Sequence, residues 1–239
     1  MTAVFSEYSN KLLSILPADD GLGLVTELQS VSLPKGMFLS HPNRPADFCY
    51  FPENGIASVV AISPEGHRSE AGVIGWEGVT PLAPVLHAGQ SPFEIFVQVE
   101  GSGFRIEADC LQSILENSAS IRHIFLRYAQ AFFVQCSFTS LSNATHRLEE
   151  RLARWILMCH DRVIGDRIAL SHEFMAAMLA VHRPSVTTAL HVLEGNRFIY
   201  SERNLVIVRN RADLEEFASD AYGLAEQEYE RLLFPLRKI

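Results

Sequence analysis

The 239-residue chain contains no run of about 18 apolar residues, so a membrane-spanning helix is not expected. Its first residues, MTAVFSEYSNKLLS, lack a basic stretch followed by an apolar one, and no secretory leader is read there. Cysteine is sparse. Cys49, Cys110, Cys136 and Cys159 lie far apart, and no CxxC pair occurs. Zinc and cluster sites thus have no local support, and buried free thiols in a reducing cytoplasm are the expectation. No Ser-His-Asp set, Gly-x-Ser-x-Gly or phosphate loop points to catalysis. His41, His67 and His87 are each isolated, without the HxH-plus-Glu spacing that a metal site in a β-barrel needs. Internal repeats and low-complexity tracts are also missing. The chain is read as a non-enzyme with no metal and no cofactor.

Positive charge is scarce too. Twenty Lys/Arg stand against 28 Asp/Glu, a net charge of −8. The distribution matters more than the sum. Residues 1–143 carry seven basic and fourteen acidic side chains. Residues 144–210 carry nine arginines, seven acids and five histidines, and residues 211–239 return to an acidic balance. The local excess falls where phosphate contacts would need it.

What is present is an ordered change of pattern. Residues 7–30 are helical in spacing, with a break at Pro17. From about Val31 to Ile106, short β-type runs at 32–33, 37–39, 48–51, 56–62, 70–74 and 93–99 alternate with Gly and Pro. Several short strands separated by turn residues in this way suggest a closed or double-sheet fold such as a jelly roll. Its interior can hold a small ligand or be packed shut. From Asp109 the pattern is helical again. A short helix at 113–117 precedes a long one at 120–143 with no Gly or Pro inside. On this helix Ile121, Ile124, Phe125, Tyr128 and Phe132 form a wide apolar face. That face suits a homodimer contact, or packing within the chain. Another amphipathic helix follows through Leu152 and Trp155.

Residues 170–194, LSHEFMAAMLAVHRPSVTTALHVLE, read as a helix-turn-helix. Ser171 is a good N-cap, and Glu173 suits the positive end of the helix dipole. Ala180-Val181-His182 makes the break, and Arg183-Pro184 opens the second helix, because proline is tolerated in a first turn. Val186, Ala189, Leu190 and Leu193 would face inward. Arg183, Ser185, Thr187, Thr188 and His191 remain outside, a short polar face without carboxylates. An ordinary packed hairpin has the same inner pattern. Residues 197–200 and 205–208 form a plausible two-stranded wing with Arg203 at its tip. A last amphipathic stretch covers 213–233.

The order of β-roll, long helix and winged helix-turn-helix resembles the Crp/Fnr superfamily of bacterial transcription regulators. The most specific stretch is 151–210, RLARWILMCHDRV…IALSHEFMAAMLAVHRPSVTTALHVLEGNRFI…LVIVRN. In the β-region, Leu33-Pro34-Lys35-Gly36, Cys49-Tyr50-Phe51-Pro52 with Gly55, and Gly75-Trp76-Glu77-Gly78 look like the family's strand–turn signatures. The resemblance implies an α+β chain. Residues 10–110 would be a cyclic-nucleotide-binding-like double-stranded β-helix, and 111–143 a linker and dimerisation helix. Residues 144–212 would be the winged helix-turn-helix, and 213–239 a C-terminal helical extension.

The departures from the family pattern are informative. Members that bind cyclic AMP carry Gly-Glu-Leu followed by Arg-Ser/Thr-Ala, whose arginine neutralises the phosphate. Here Gly75, Glu77 and Gly78 form only a degenerate effector pocket, and residues 79–98 contain no Arg or Lys. A buried phosphate without a cation is costly, so cyclic-nucleotide binding is not expected. No cysteine precedes Cys49, so the family's N-terminal iron–sulfur sensor is not expected either.

On the DNA side, Arg183, Thr187 and Thr188 occupy the base-reading positions that the resemblance implies. Ser171, His182, Ser185, His191 and Arg203 are candidate phosphate contacts. Pro184 stands where the family usually places a glutamate, so the operator should differ from the familiar consensus. The resemblance implies a cytoplasmic, homodimeric regulator bound to a palindromic site in double-stranded DNA, with RNA polymerase as a further partner. A cupin-like β-roll that binds a small ligand or metal, without a DNA role, is the alternative.

Overall fold

The computed structural model describes residues 5–234. Two short helices open the chain, α1 (Lys11–Ser14) and α2 (Ala18–Val25). Asn10 caps α1 by accepting the Leu13 N–H. It is fully buried, and its amide donates to the Pro52 and Gly78 carbonyls at 2.8 and 2.9 Å. A single polar side chain thus ties the N-terminus to two turns of the sheet region.

The strands are β1 (Gln29–Leu33), β2 (Phe38–Ser40), β3 (Arg44–Pro45), β4 (Phe48–Pro52), β5 (Ile56–Ile62), β6 (Arg68–Ile74), β7 (Gln90–Ser91), β8 (Glu94–Val99) and β9 (Gly101–Glu107). One sheet has the order β2-β8-β5-β6 and the other β1-β9-β4, with β3-β7 as a small pair; all pairings are antiparallel. Leu33, Leu39, Tyr50, Ala57, Val59, Ile74, Ile95 and Val97 fill the interior as one apolar cluster. Strand β9 is absent from the sequence pattern because it opens Gly-Ser-Gly. Those glycines have a packing reason. A Cβ at Gly103 would lie 2.3 Å from the Phe51 carbonyl, and one at Gly101 would meet Asn54 at the same distance.

Helix α3 (Ala108–Asn117) leads into α4 (Ala119–Thr145). Ser118 caps α4 through the Ile121 N–H, and the run without Gly or Pro lets it continue for 27 residues. Helix α5 (Leu148–His160) reaches β6 through its Trp155 side chain and joins the second unit. That unit comprises the two-residue β10 (Arg167–Ile168), α6 (His172–Met178), α7 (Arg183–Gly195), β11 (Ile199–Glu202) and β12 (Leu205–Val208). The small sheet runs β10-β12-β11, so the wing has a third strand where the sequence suggests only a link. Its core is continuous with the larger sheet, because Ile56, Val60 and Val73 belong to the same cluster as Trp155, Met175 and Leu190. The rings of Phe96, Phe174 and Trp155 meet across the junction.

The last amphipathic stretch is not one helix. It divides into α8 (Arg211–Ala218), a 3₁₀ turn at Ser219–Ala221 and α9 (Leu224–Leu233). Ser219 at φ 54° and Gly223 at φ 109° impose the break. Helix α9 lies along α4 and buries Leu233 in its core. Residues 235–239 of the expected extension lie outside the described residues.

Candidate nucleic-acid interface

The helix-turn-helix forms for the reasons its sequence suggests. Ser171 accepts the Phe174 N–H at 3.2 Å, so its oxygen is engaged as a cap while its own O–H is left to donate. Ala180 turns the chain at φ 52°, and His182 holds the extended N-cap position before Arg183-Pro184. Val186, Ala189, Leu190 and Leu193 are buried to within one per cent. Arg183, Pro184, Thr188 and His191 are exposed on the opposite face. Thr187 is half-buried. Its hydroxyl lies 3.3 Å from the Arg183 carbonyl and 3.2 Å from Nδ1 of His172. The wing turns at Arg203-Asn204, both exposed, with Asn204 at φ 60°.

Recognition helix and wing enclose an open groove of about 510 Å³. Ser171, Arg183, His191 and Arg203 line it together. Glu194 fixes its shape, because its carboxylate accepts the Ser201 N–H at 2.7 Å and so ties the wing to α7. His182 and Ser185 fall elsewhere. They face a separate hollow against Gly66, His67 and Arg68 of the β5–β6 turn. Sequence reasoning missed His172, which bridges towards Thr187 and Ser201 at 3.2 and 3.5 Å. It also missed Asn204. The turn residues Ser-Glu-Arg-Asn were the only available signal for the latter. The groove carries Glu173 and Glu202 as well, so it is less purely cationic than the outer face of α7 suggests.

Gly75, Glu77 and Gly78 do come together, after β6, but neither glycine faces free space. The Glu77 carboxylate accepts the Gly75 N–H at 3.0 Å and the Arg162 Nε–H at 2.8 Å, both buried. Burial presses the Arg162 guanidinium down, but Glu77 and Asp161 outweigh it and hold the group charged above the ordinary arginine range. The Arg162 stem lies where a Gly75 side chain would be, and the Tyr128 ring lies where a Gly78 side chain would be; a Cβ there would meet it at 2.0 Å. The chain's own arginine and tyrosine therefore occupy this place.

Residues 150–217 match the family model described as the Crp-like helix-turn-helix domain. A protein from Eubacterium rectale ATCC 33656, classed with the Crp/Fnr transcriptional regulators, is 16% identical with a TM-score of 0.66 over 87% of this chain and 97% of its own. FixK2 from Bradyrhizobium japonicum is 15% identical with a TM-score of 0.67 over 80% of this chain and 98% of its own. A CRP-family transcriptional regulator from Thermus thermophilus is 18% identical with a TM-score of 0.64 over 79% of this chain and 96% of its own. This is a Crp/Fnr fold carrying a Crp-like helix-turn-helix domain. The resemblance drawn from the sequence holds at that level. No curated protein matches the sequence.

Within the Crp/Fnr fold, the expected dimer face needs correction. Ile121, Ile124, Phe125 and Tyr128 are at most 4% exposed and pack in the chain's own core, and Phe132 packs partly against the β-roll interior. The long helix is amphipathic towards its own chain first, because α1, α3 and α9 converge on that face. Its exposed apolar residues are instead Leu126, Phe133 and Leu141. The thiols also differ from expectation. Cys49 and Cys159 are buried, but Cys110 and Cys136 are only half-buried, and all four are free. Among the described residues no three His, Cys, Asp or Glu side chains are grouped to hold a metal ion, and no helix is long and apolar enough to cross a membrane.

Proposed function

We propose that this protein is a homodimeric, sequence-specific DNA-binding transcription regulator, with residues 10–110 as sensor, 111–143 as dimer helix and 144–212 as reader. One observation carries the reading. The exposed face of α7 and the Arg203 wing flank an open groove within a domain that matches the Crp-like helix-turn-helix model. Arg183 reads guanine O6/N7 from the first turn of α7, and Thr188 offers its methyl to thymine. Thr187 contributes less, since its hydroxyl is engaged inside the protein. Arg203, His191 and the Ser171 O–H serve phosphates, as do His182 and Ser185 at the start of α7.

The homodimer forms along α4 through Leu126, Phe133 and Leu141. From Tyr128 to Thr145 this helix contains no charged residue, an unusual composition for a face left in water. Two recognition helices then meet major grooves about 34 Å apart on a palindromic operator. RNA polymerase is a partner of this reading, and the cytoplasm is its place. A signal at the β-roll changes the packing of α4 and the spacing of the readers, or abundance sets the response.

Genomic fragments selected by the wild-type protein test this in gel shifts. Arg183→Ala should keep weak binding but lose discrimination by about 1–3 kcal/mol. Phe133→Glu should sediment as a monomer and lose most operator affinity. Absence of any selected fragment, or equal selectivity in Arg183→Ala, defeats the base-reading role.

A further inference from the structure

A cavity of about 490 Å³ lies outside the β-roll interior, at the junction of four segments. Trp76 and Glu77 come from the turn after β6, Tyr128 to Gln135 from α4, Asp161 and Arg162 from the end of α5, and Tyr222 to Glu230 from the C-terminal segment. Its size falls in the range of small-molecule sites. Its walls are aromatic, formed by Trp76, Phe132, Tyr222 and Tyr229. Flat rings of this kind favour a planar π-system stacked or placed edge-to-face.

Two of the buried polar side chains on this cavity carry donors. Arg162 is only 6% exposed and Gln135 only 8%. Arg162 uses Nε on Glu77 and Nη1 on the Met158 carbonyl. Gln135 uses its oxygen to accept the Val73 N–H at 2.8 Å. Among the described residues, Nη2 of Arg162 and Nε2 of Gln135 have no hydrogen-bond partner, and both side chains line the cavity. Neither nitrogen is sealed from solvent, so both donors are reachable from the cavity and can serve acceptor oxygens of a ligand.

The acids of the lining do not supply them. Glu77 is paired with Arg162. Asp161 accepts from Arg211 and from the Tyr222 hydroxyl. Glu226 accepts the Gly223 N–H. Charge also limits the ligand. The lining carries two cations, Lys11 and Arg162, against four acids, so an anion meets a negative excess. A cation would instead approach the buried guanidinium of Arg162.

We infer that this cavity binds a small, planar, uncharged aromatic molecule bearing a carbonyl-type acceptor, held between the rings and facing Arg162 and Gln135. The site depends on the C-terminal segment, since Tyr222, Ala225 and Tyr229 form one side of it. It draws walls from both the β-roll and the helix-turn-helix unit, so occupancy bears on how these two units are held.

Coumarin is a suitable probe, because it is planar, neutral and carries one ester carbonyl. Trp76 reports directly, and the only other tryptophan, Trp155, is buried at 3% exposure away from the lining. Coumarin should quench tryptophan emission with saturation. 2-Naphthoate and 1-naphthylmethylammonium should bind at least about tenfold more weakly, from the cost of bringing a charge to this lining. Ala225→Phe should fill the cavity and abolish saturation, whereas Glu65→Ala, on the exposed β5–β6 turn away from the lining, should leave coumarin binding intact. Should Ala225→Phe fail to fold, intermolecular NOEs in the wild-type protein decide the matter. They should run from coumarin protons to the Trp76, Tyr222 and Tyr229 rings. Absence of saturable quenching overturns the proposal, as does equal binding of all three probes. Full binding by an Ala225→Phe protein that melts normally, or NOEs confined to other residues, also overturns it.

Discussion

The turn at residues 75–78 and the groove at the wing handle charge in opposite ways. Around the turn, Glu77 and Arg162 are buried and bonded to each other, with the Gly75 N–H and Met158 carbonyl as further partners. At the wing, Arg183 and Arg203 are exposed, and among the described residues neither has a carboxylate at ion-pair distance. A charge already matched inside the fold stabilises and positions; a charge left in water is available to a second molecule. The same contrast explains why a degenerate cassette and an unfamiliar recognition helix mean different things. The Glu77 charge of the cassette is matched from within by Arg162, whereas Arg183 on the helix is left to solvent.

The largest effect that separates the two regions is expected from Arg162→Ala. It leaves Glu77 buried and unpaired, and should cost about 3–5 kcal/mol in denaturant unfolding. Replacing the pair together, Glu77→Leu with Arg162→Met, should recover most of that loss. Arg183→Ala should leave the unfolding midpoint unchanged. Comparable losses in both arginine variants would erase the contrast.

A second probe of the closed side is pH. Glu70 on β6 is buried and accepts the Trp155 Nε1–H at 2.5 Å, and burial lifts its carboxyl from the ordinary 4.5 to about 7. A raised carboxyl pKa favours the protonated folded state. The stability it permits is complete below about pH 4.5 and is lost as pH rises through about 7. Glu70→Gln keeps the acceptor oxygen and removes the charge. It should match wild type near pH 4.5 and exceed it by about 3 kcal/mol near pH 8, read from paired unfolding curves. A constant difference across that range would contradict the assignment.

Gly78→Ala sharpens the comparison further, since its new methyl meets Tyr128 at 2.0 Å. Overpacking of this kind costs about 1–3 kcal/mol, visible as a lowered melting temperature with DNA selectivity retained. The smallest effect belongs to the open side. Arg203→Ala should weaken binding to all DNA sequences alike and reduce the salt-dependence slope by about 1, with no change in base preference.

Much of the architecture is legible in the sequence. Ser171, the Ala180–His182 break and Pro184 fix the helix-turn-helix by local chemistry, and the missing Gly and Pro fix the long α4. The wing was legible in outline, although β10 was not, because two residues carry no periodicity. Strand β9 was hidden because glycine there answers to a close approach by another strand. The dimer face was misassigned for a related reason. Periodicity finds the most apolar side of a helix, and in α4 that side is claimed by the chain's own α1, α3 and α9. Likewise the apolar spacing of 213–233 gives no sign of the turn at Ser219.

The sequence by itself determined the order of the units, the start of each reading helix and the absence of a cationic partner in residues 79–98. These rest on local propensity, capping and composition, which act over a few neighbouring residues. Only the tertiary structure decided that Arg162, 85 positions from Glu77, would pair with it, and that Tyr222 and Tyr229 would line one cavity with Trp76. Such meetings depend on how sheets and helices pack, and no spacing along the chain encodes them.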